Sequence, residues 1–406
     1  MSKRWLCAVG VATAALVLSS CGLTVTKAGP DPLAGQAARS TPNGMVLVSP
    51  DNFVRAVTDQ EFTNVVNENG FGRFFHLREV TPIDRQLVVR SNRDTLYSAA
   101  VFDLQAGPVT ITLPDPGERY MSAQVINEDE YVTDVYYGGG EHILDQQRIG
   151  TRYVMVAVRI LADPKDGADL ATAHRLQDAI TVAQADSGSF EVPRWDPVSQ
   201  KKVTDALLSL AETIPDTRGM FGTMADTDPV RHLIGAAAAW GGNPETDALY
   251  LNVFPARNDG NTVYRLSVKD VPVKAFWSIS VYNKNGYFTE NQQQAYSVND
   301  ITATKAPDGS VTVQFGGCVA DTVNCLPITP GWNYLVRLYQ PKQDILSGKW
   351  VFPAAQPDES AGGDASVRAA VPFYGIYDFT GDTDLHPLLT PALSAYVFKQ
   401  SRRRFP

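Results

Sequence analysis

The densest run of chemically capable side chains is Asn92, Arg93, Asp94, Thr95 and Tyr97, in "SNRDTLYS". An arginine offers a planar donor fork that matches a carboxylate or sugar hydroxyls, and a nearby tyrosine adds a stacking face. The same Arg–Asp neighbourhood serves equally as a buried pair that fixes a turn. Read as a strand, the run puts Arg93, Thr95 and Tyr97 on one face and Asn92, Asp94 and Leu96 on the other. Arg119, Tyr120 and Gln124 extend the pattern to a later strand. A second cluster, Asp129, Glu130 and Asp134, surrounds Tyr131. Two carboxyl groups flanking an aromatic suit acid–base work on a glycosidic bond; they also suit a Ca²⁺ site or a solvated acidic loop. The candidate ligand-binding set is Asn92, Arg93, Asp94, Tyr97, Arg119 and Asp134.

Other chemistries lack their signatures. The five histidines, His76, His142, His174, His232 and His386, form no HxH, HExxH or Cys–His spacing, so no metal site is expected. No G-x-S-x-G elbow occurs. Gly138 to Gly140 lack the Lys-Ser/Thr continuation of a phosphate loop, and no cofactor motif is found. Trp277, Trp332 and Trp350 lie in strand-like text and are expected in a core.

These residues need elements to position them. "SPDNFVRAVTDQEFTNVVNENG" carries an apolar stripe at Phe53, Val54, Val57 and Phe62, with Ser49 or Asp51 as cap and Gly70 as stop, and predicts a helix. From about residue 75, "RQLVVRS", "TLYSAAVFDL", "GPVTITLP", "RYMSAQVIN", "YVTDVYYGG" and "TRYVMVAVRIL" are short β-branched and aromatic runs parted by turn residues. That rhythm predicts an antiparallel sandwich or barrel. "DLATAHRLQDAITVAQ" and "VTDALLSLAETI" change to helical spacing, and "DPVRHLIGAAAAW" opens with Asp228 as N-cap and Pro229 at the first helical position. Strands return from 247 in "ALYLNVFPA", "TVYRLSV", "AFWSISVYN", "SVTVQFG" and "WNYLVRLYQP", alternating as half-buried strands do, with a turn at "APDGS". The predicted fold is mainly β with an α-helical insert (α+β), built on two antiparallel β modules.

The N-terminus reads as an export signal. Lys3 and Arg4 precede an apolar run from Trp5 to Leu18, too short to span a bilayer comfortably. Leu18, Ser19, Ser20 and Cys21 resemble a bacterial lipobox, with Cys21 as the acylated residue. A Gly/Pro/Ala/Thr-rich segment follows and reads as a flexible tether. The resulting division is 1–20 signal, 21–48 lipidated tether, 49–163 N-terminal β module and 164–242 helical insert. A C-terminal β module at 243–353, a linker at 354–370 and a partly helical tail at 371–406 complete it. The net charge of −9 disfavours nucleic acid and anionic lipid head groups as main partners. Cys318 and Cys325, seven residues apart in "GGCVADTVNC", are expected to pair in an oxidising compartment.

Two blocks resemble a known pair of modules. "SNRDTLYSAAVFDLQAGPVTITLPDPGERYMSAQVINED" is similar to domain of unknown function 1254. "AFWSISVYNKNGYF", "DGSVTVQFG" and "PGWNYLVRLYQPKQDILSGKW" are similar to its usual partner, domain of unknown function 1214. The resemblance implies two antiparallel β-sandwich (jelly-roll-like) modules with helices between or beside them and no agreed activity. In "NCLPITPGWNY" the family's usual Trp after Asn is replaced by Cys325, so a disulfide is expected to fix that loop.

The functional expectation is a lipid-anchored protein of the cell or outer membrane that binds a glycan, lipid or protein partner, with self-association open. The alternative is an exported hydrolase acting on envelope glycans or esters.

Overall fold

The structure is a computed structural model and describes residues 40–41, 43–86 and 89–358. The expected signal, most of the tether, and the tail and most of the linker lie outside the described residues. The chain divides into two units, Met1–Gln356 and Pro357–Pro406. Both sandwiches and every described helix belong to the first.

The N-terminal module is two facing sheets. One sheet has the order β1 (Phe75–Leu77), β2 (Thr95–Asp103), β7 (Tyr153–Leu161), β4 (Met121–Asn127), β5 (Val132–Tyr137). The other is β6 (Gly140–Leu144), β3 (Val109–Leu113), β8 (Thr181–Ala183). Every pairing in both is antiparallel. Leu96, Ala100, Phe102, Val125, Val156, Val158 and Ile160 from the first sheet meet Val109, Ile111, Leu113 and Leu144 from the second in one core.

The C-terminal module repeats the plan. β9 (Ala248–Val253), β11 (Trp277–Tyr282), β12 (Ser297–Asn299) and β15 (Asn333–Tyr339) make one sheet in the order β12-β11-β15-β9. It faces a second sheet containing β10 (Tyr264–Val268), β13 (Val311–Phe315) and β14 (Cys325–Leu326), where the β13–β14 pairing is parallel. Trp277 and Trp332 are buried in the core between them and Trp350 packs against it. Cys318 and Cys325 form the expected disulfide.

Among the helices, α1 (Phe53–Asn67) precedes the sheets, and α2 (Gln146–Ile149) sits between β6 and β7. Then come α3 (Gly167–Asp178), α4 (Pro197–Ala211), α5 (Pro229–Ala238) and α6 (Gln343–Leu346). Asp228 caps α5 as expected, its side chain accepting from Val230 and Arg231 N–H. Residues of α1, α4 and α5 share a core containing Phe53, Ala56, Leu207 and Ile234. Gly70 follows α1 because a Cβ there would lie 2.5 Å from Val65 Cγ1.

Four expectations are corrected. The helical text of 170–183 stops at Asp178, and Thr181–Ala183 becomes β8, paired with β3; β-branched Thr181 and Val182 suit a strand better than a last helical turn. The described part of "RQLVVRS" is a loop, and Gln86 accepts from Phe288 N–H and donates to its carbonyl. Neither Ser49 nor Asp51 caps α1: Asn52 occupies the cap position without a side-chain cap bond, its Oδ1 accepting from Ser49 N–H instead. The end of the expected tether is docked: Val46 exchanges backbone hydrogen bonds with Arg194 and Asp196, and Val48 is buried.

Candidate functional site

The central strands are buried on both faces. All seven residues of β4 and of β15 and all six of β11 are inaccessible. One face of β11 and β15 feeds the C-terminal core. The other carries Ser278, Ser280, Tyr282, Asn333, Leu335, Arg337 and Tyr339. Opposite it the N-terminal module presents Thr95, Tyr97, Ser122, Gln124 and Arg159. The alternation that reads as half-buried is therefore a polar seam between two sandwiches, not a solvated surface.

Asn92 is the hub of the seam. Its Nδ2 donates to Thr95 Oγ1 at 3.1 Å, Tyr97 OH at 3.2 Å and Tyr339 OH at 3.1 Å. Residues 91–94 precede the strand, and Arg90 has φ 54°, so Asn92 folds back onto the Thr95/Tyr97 side rather than the face assigned by simple alternation. Arg337 donates to Ser280 Oγ, Tyr282 OH and the carbonyls of Arg90 and Ser91. Arg159 donates to Gln124 Oε1 and the Gly241 carbonyl, and its guanidinium lies 5.5 Å from the Tyr97 ring centroid. Burial pushes the Tyr97 phenol up, but Arg159 and the hydrogen bonds with Thr95 and Asn92 outweigh it and hold the group below the ordinary phenol value. Burial drives Tyr339 the other way, well up. Asp94, 1% exposed, accepts from Asn299 Nδ2 at 3.3 Å.

Beside the seam the two modules leave a cleft of about 670 Å³. Its N-terminal wall comes from the β3–β4 turn and the loop between β7 and α3, with Glu118, Arg119, Tyr120, Asp163 and Asp169. Lys274, Phe276, Asn299, Thr302 and Gln340 form the C-terminal wall. Arg119 grips both carboxylate oxygens of Asp169 and the Leu161 carbonyl. That pairing holds the Asp169 carboxyl below the usual range. Tyr137 is the accessible aromatic, its OH donating to Asp247 at 2.9 Å, with Tyr120 edge-on to it at 6.1 Å. Phe276 and Tyr339 stack behind at 4.1 Å, joining the cleft to the seam. Lys274 is exposed at the cleft wall.

The candidate residues do not converge. Asn92, Asp94 and Tyr97 lie in the seam, and only Arg119 lines the cleft. Arg93 donates to the Thr81 carbonyl and covers the Tyr296 ring at 5.0 Å. Asp134 of β5 pairs with Arg148 of α2, Asp129 pairs with Arg55, and Glu130 is fully buried. Sequence reasoning missed Arg159, Arg337, Asn299 and Lys274. For the two arginines a signal existed: each interrupts an apolar run, in "VMVAVRIL" and "NYLVRLY", where a solvent-facing strand would carry more polar positions.

Residues 71–141 match the family described as Protein of unknown function (DUF1254), and residues 255–343 match Protein of unknown function (DUF1214). The chain carries the DUF1254–DUF1214 pair. The DUF1254 segment runs from just after α1 into β6, and the DUF1214 segment from just after β9 into α6. The chain resembles the crystal structure of the VPA0106 protein from Vibrio parahaemolyticus at 19% identity, over 76% of this chain and 98% of that one, with a TM-score of 0.56. An uncharacterized protein from Burkholderia cenocepacia is similar at 15% identity, over 75% and 86%, with a TM-score of 0.45. A short stretch is 55% identical over 40 residues to the Probable carboxylic ester hydrolase LipM of Mycobacterium tuberculosis, 10% of this chain and 9% of that one. The chain thus spans under a tenth of the length of that curated relative.

Proposed function

We propose that the protein is an envelope lipoprotein, exported and acylated at Cys21, that binds a partner in the cleft between its two sandwiches. A glycan, a lipid or a protein segment is the partner class. The observation that carries the reading is the cleft itself. It has the size of a ligand pocket and lies at a module junction. It combines an accessible tyrosine, amide and hydroxyl groups, an exposed lysine and acids such as Glu118 and Asp163, a lining that suits recognition. Of the candidate acids, Asp94 lies in the seam, Asp129 and Asp134 are in ion pairs and Glu130 is buried away from the cleft. The pairing of Cys318 with Cys325 agrees with an oxidising compartment.

The test is titration calorimetry of the Cys21→Ala chain against envelope glycan oligomers and lipid micelles. Tyr137→Ala and Lys274→Ala are expected to weaken any binding about tenfold, as loss of one contact worth about 1.4 kcal/mol does. Binding unchanged by either would move the site away from the cleft. For the anchor, a fatty acid on Cys21 and loss of membrane fractionation in Cys21→Ala are expected.

The hydrolase alternative draws on the 40-residue similarity to a probable ester hydrolase. Turnover of an ester or glycan that Asp94→Ala abolishes, in a variant as stable as the parent, would favour it.

A further inference from the structure

A second buried polar region lies where α1 and α5 meet the turn between β4 and β5. Three carboxyl groups are enclosed there: Asp59 at 1% exposure, Glu128 at 8% and Glu130 at 0%. Asp59 Oδ2 accepts from Trp195 Nε1 at 2.8 Å, while Oδ1 has no partner among the described residues. Glu130 Oε1 accepts from Gly241 N–H at 2.9 Å, and Oε2 has none among them. Glu128 Oε2 accepts from Tyr153 N–H at 2.9 Å. Arg55 is the cation facing them. It bonds Asp129 at 2.6 Å and stands 3.9 Å from Glu128. Glu61 completes the groups of α1 and bonds Asn64.

From α5, His232 enters the same corner, 4% exposed and stacked on Tyr131 at 4.6 Å. Its Nδ1 lies 2.9 Å from the Met220 carbonyl oxygen and its Nε2 lies 3.0 Å from that of Asp129. Both neighbours are acceptors. A ring with one proton satisfies one of them; only a ring with two satisfies both. The backbone is also constrained, since Glu130 has φ 59°, a region that side chains other than glycine enter at a cost.

We propose that this corner is a proton-operated joint: it seats the helical layer on the N-terminal sandwich while its buried acids hold their protons, and it gives way as the protons leave. Burial agrees with the geometry. It pushes Asp59 up to about 7, raises Glu130 well above the ordinary carboxyl range and raises Glu128 and Glu61. A carboxyl group that keeps its proton longer in the folded chain than in the unfolded one contributes stability that is full below the unfolded value. That stability is lost as pH rises through the folded value. For Asp59 the window runs from about pH 4 to about pH 7. The effect reaches the seam: Gly241, whose N–H serves Glu130, gives its carbonyl to Arg159 at 2.7 Å.

His76 and His142, held below the ordinary histidine value by burial, give a slope of opposite sign, so differences between variants carry the test. Urea unfolding of the full chain is followed from pH 5 to pH 8. Relative to wild type, Asp59→Asn and Glu130→Gln are each expected to gain about tenfold or more in folding equilibrium constant across that range. A group that binds its proton about tenfold more tightly in the folded chain than in the unfolded one gives a change of that size. The second variant keeps the test alive if the first does not fold. Both variants running parallel to wild type would overturn the joint.

Discussion

The molecule has two polar interiors built on opposite charges. In the seam between the sandwiches, Arg159 and Arg337 hydrogen-bond to carbonyls, hydroxyls and an amide, with Asp94 as the buried acid of that interior. In the corner under α1 and α5, Asp59, Glu128 and Glu130 are buried with Arg55 as their cation and with two oxygens left unpartnered. The difference follows from what each side chain can give up. A guanidinium cannot shed its charge in a protein, so the fold must supply acceptors for its donors. A carboxyl group can bind a proton and stop being an ion, so a corner with too few donors remains tolerable, at the cost of answering to pH. The seam is thus a permanent joint and the corner a conditional one.

The sharpest way to break this contrast is Arg337→Ala. It removes the donor to Ser280 Oγ, to Tyr282 OH and to the carbonyls of Arg90 and Ser91 in a site 2% accessible, and leaves only the Tyr282 OH–Ser91 carbonyl bond of that set. A loss of about 3–5 kcal/mol by urea denaturation is expected. Arg337→Lys should recover only part of it, because a point charge cannot reach the same fork of acceptors. Unlike the acid corner, this loss should be nearly the same at pH 5 and pH 8. A smaller effect, about 2 kcal/mol, is expected for Asn92→Ala, which removes the donor shared by Thr95, Tyr97 and Tyr339; a loss below about 0.5 kcal/mol would deny Asn92 its place as hub. Reduction of Cys318–Cys325 opens no site in either interior. It should cost about 2 kcal/mol, the loop-closure value for so short a ring, read as a lower melting temperature in reducing agent. At the bottom of the scale, Lys201→Ala breaks an exposed i,i+4 pair with Asp205. It should leave the unfolding midpoint unchanged, as isolated surface pairs do.

The sequence made the strands legible where alternation met turn residues, as at Val109–Leu113 and Tyr264–Val268, whose burial alternates along the chain. It made the α5 cap and the disulfide legible because both rest on local residue types. It hid the seam. Thr95, Gln124, Ser280 and Asn333 look like solvent-facing positions, and only the second sandwich makes them interior. Periodicity reports that two faces differ, not what covers the polar one. The arginine in each apolar run was the available clue. β8 was missed because three residues have too little text to outvote the helix before them. The acid corner was misread as a unit with Asp134: Asp129 and Glu130 turn inward toward α1, while Asp134, beyond a register shift in the β4–β5 pairing, looks to Arg148.

The double coverage of β4, β11 and β15 has a consequence for how this chain can be divided. Cut free between residues 242 and 243, each half would bare a broad sheet face of tyrosines, serines and an arginine shaped for its neighbour. Such a face is dry when mated and sticky when not. The two modules are therefore halves of one folding unit rather than beads on a string, and a gene encoding either alone would need a substitute for the missing half.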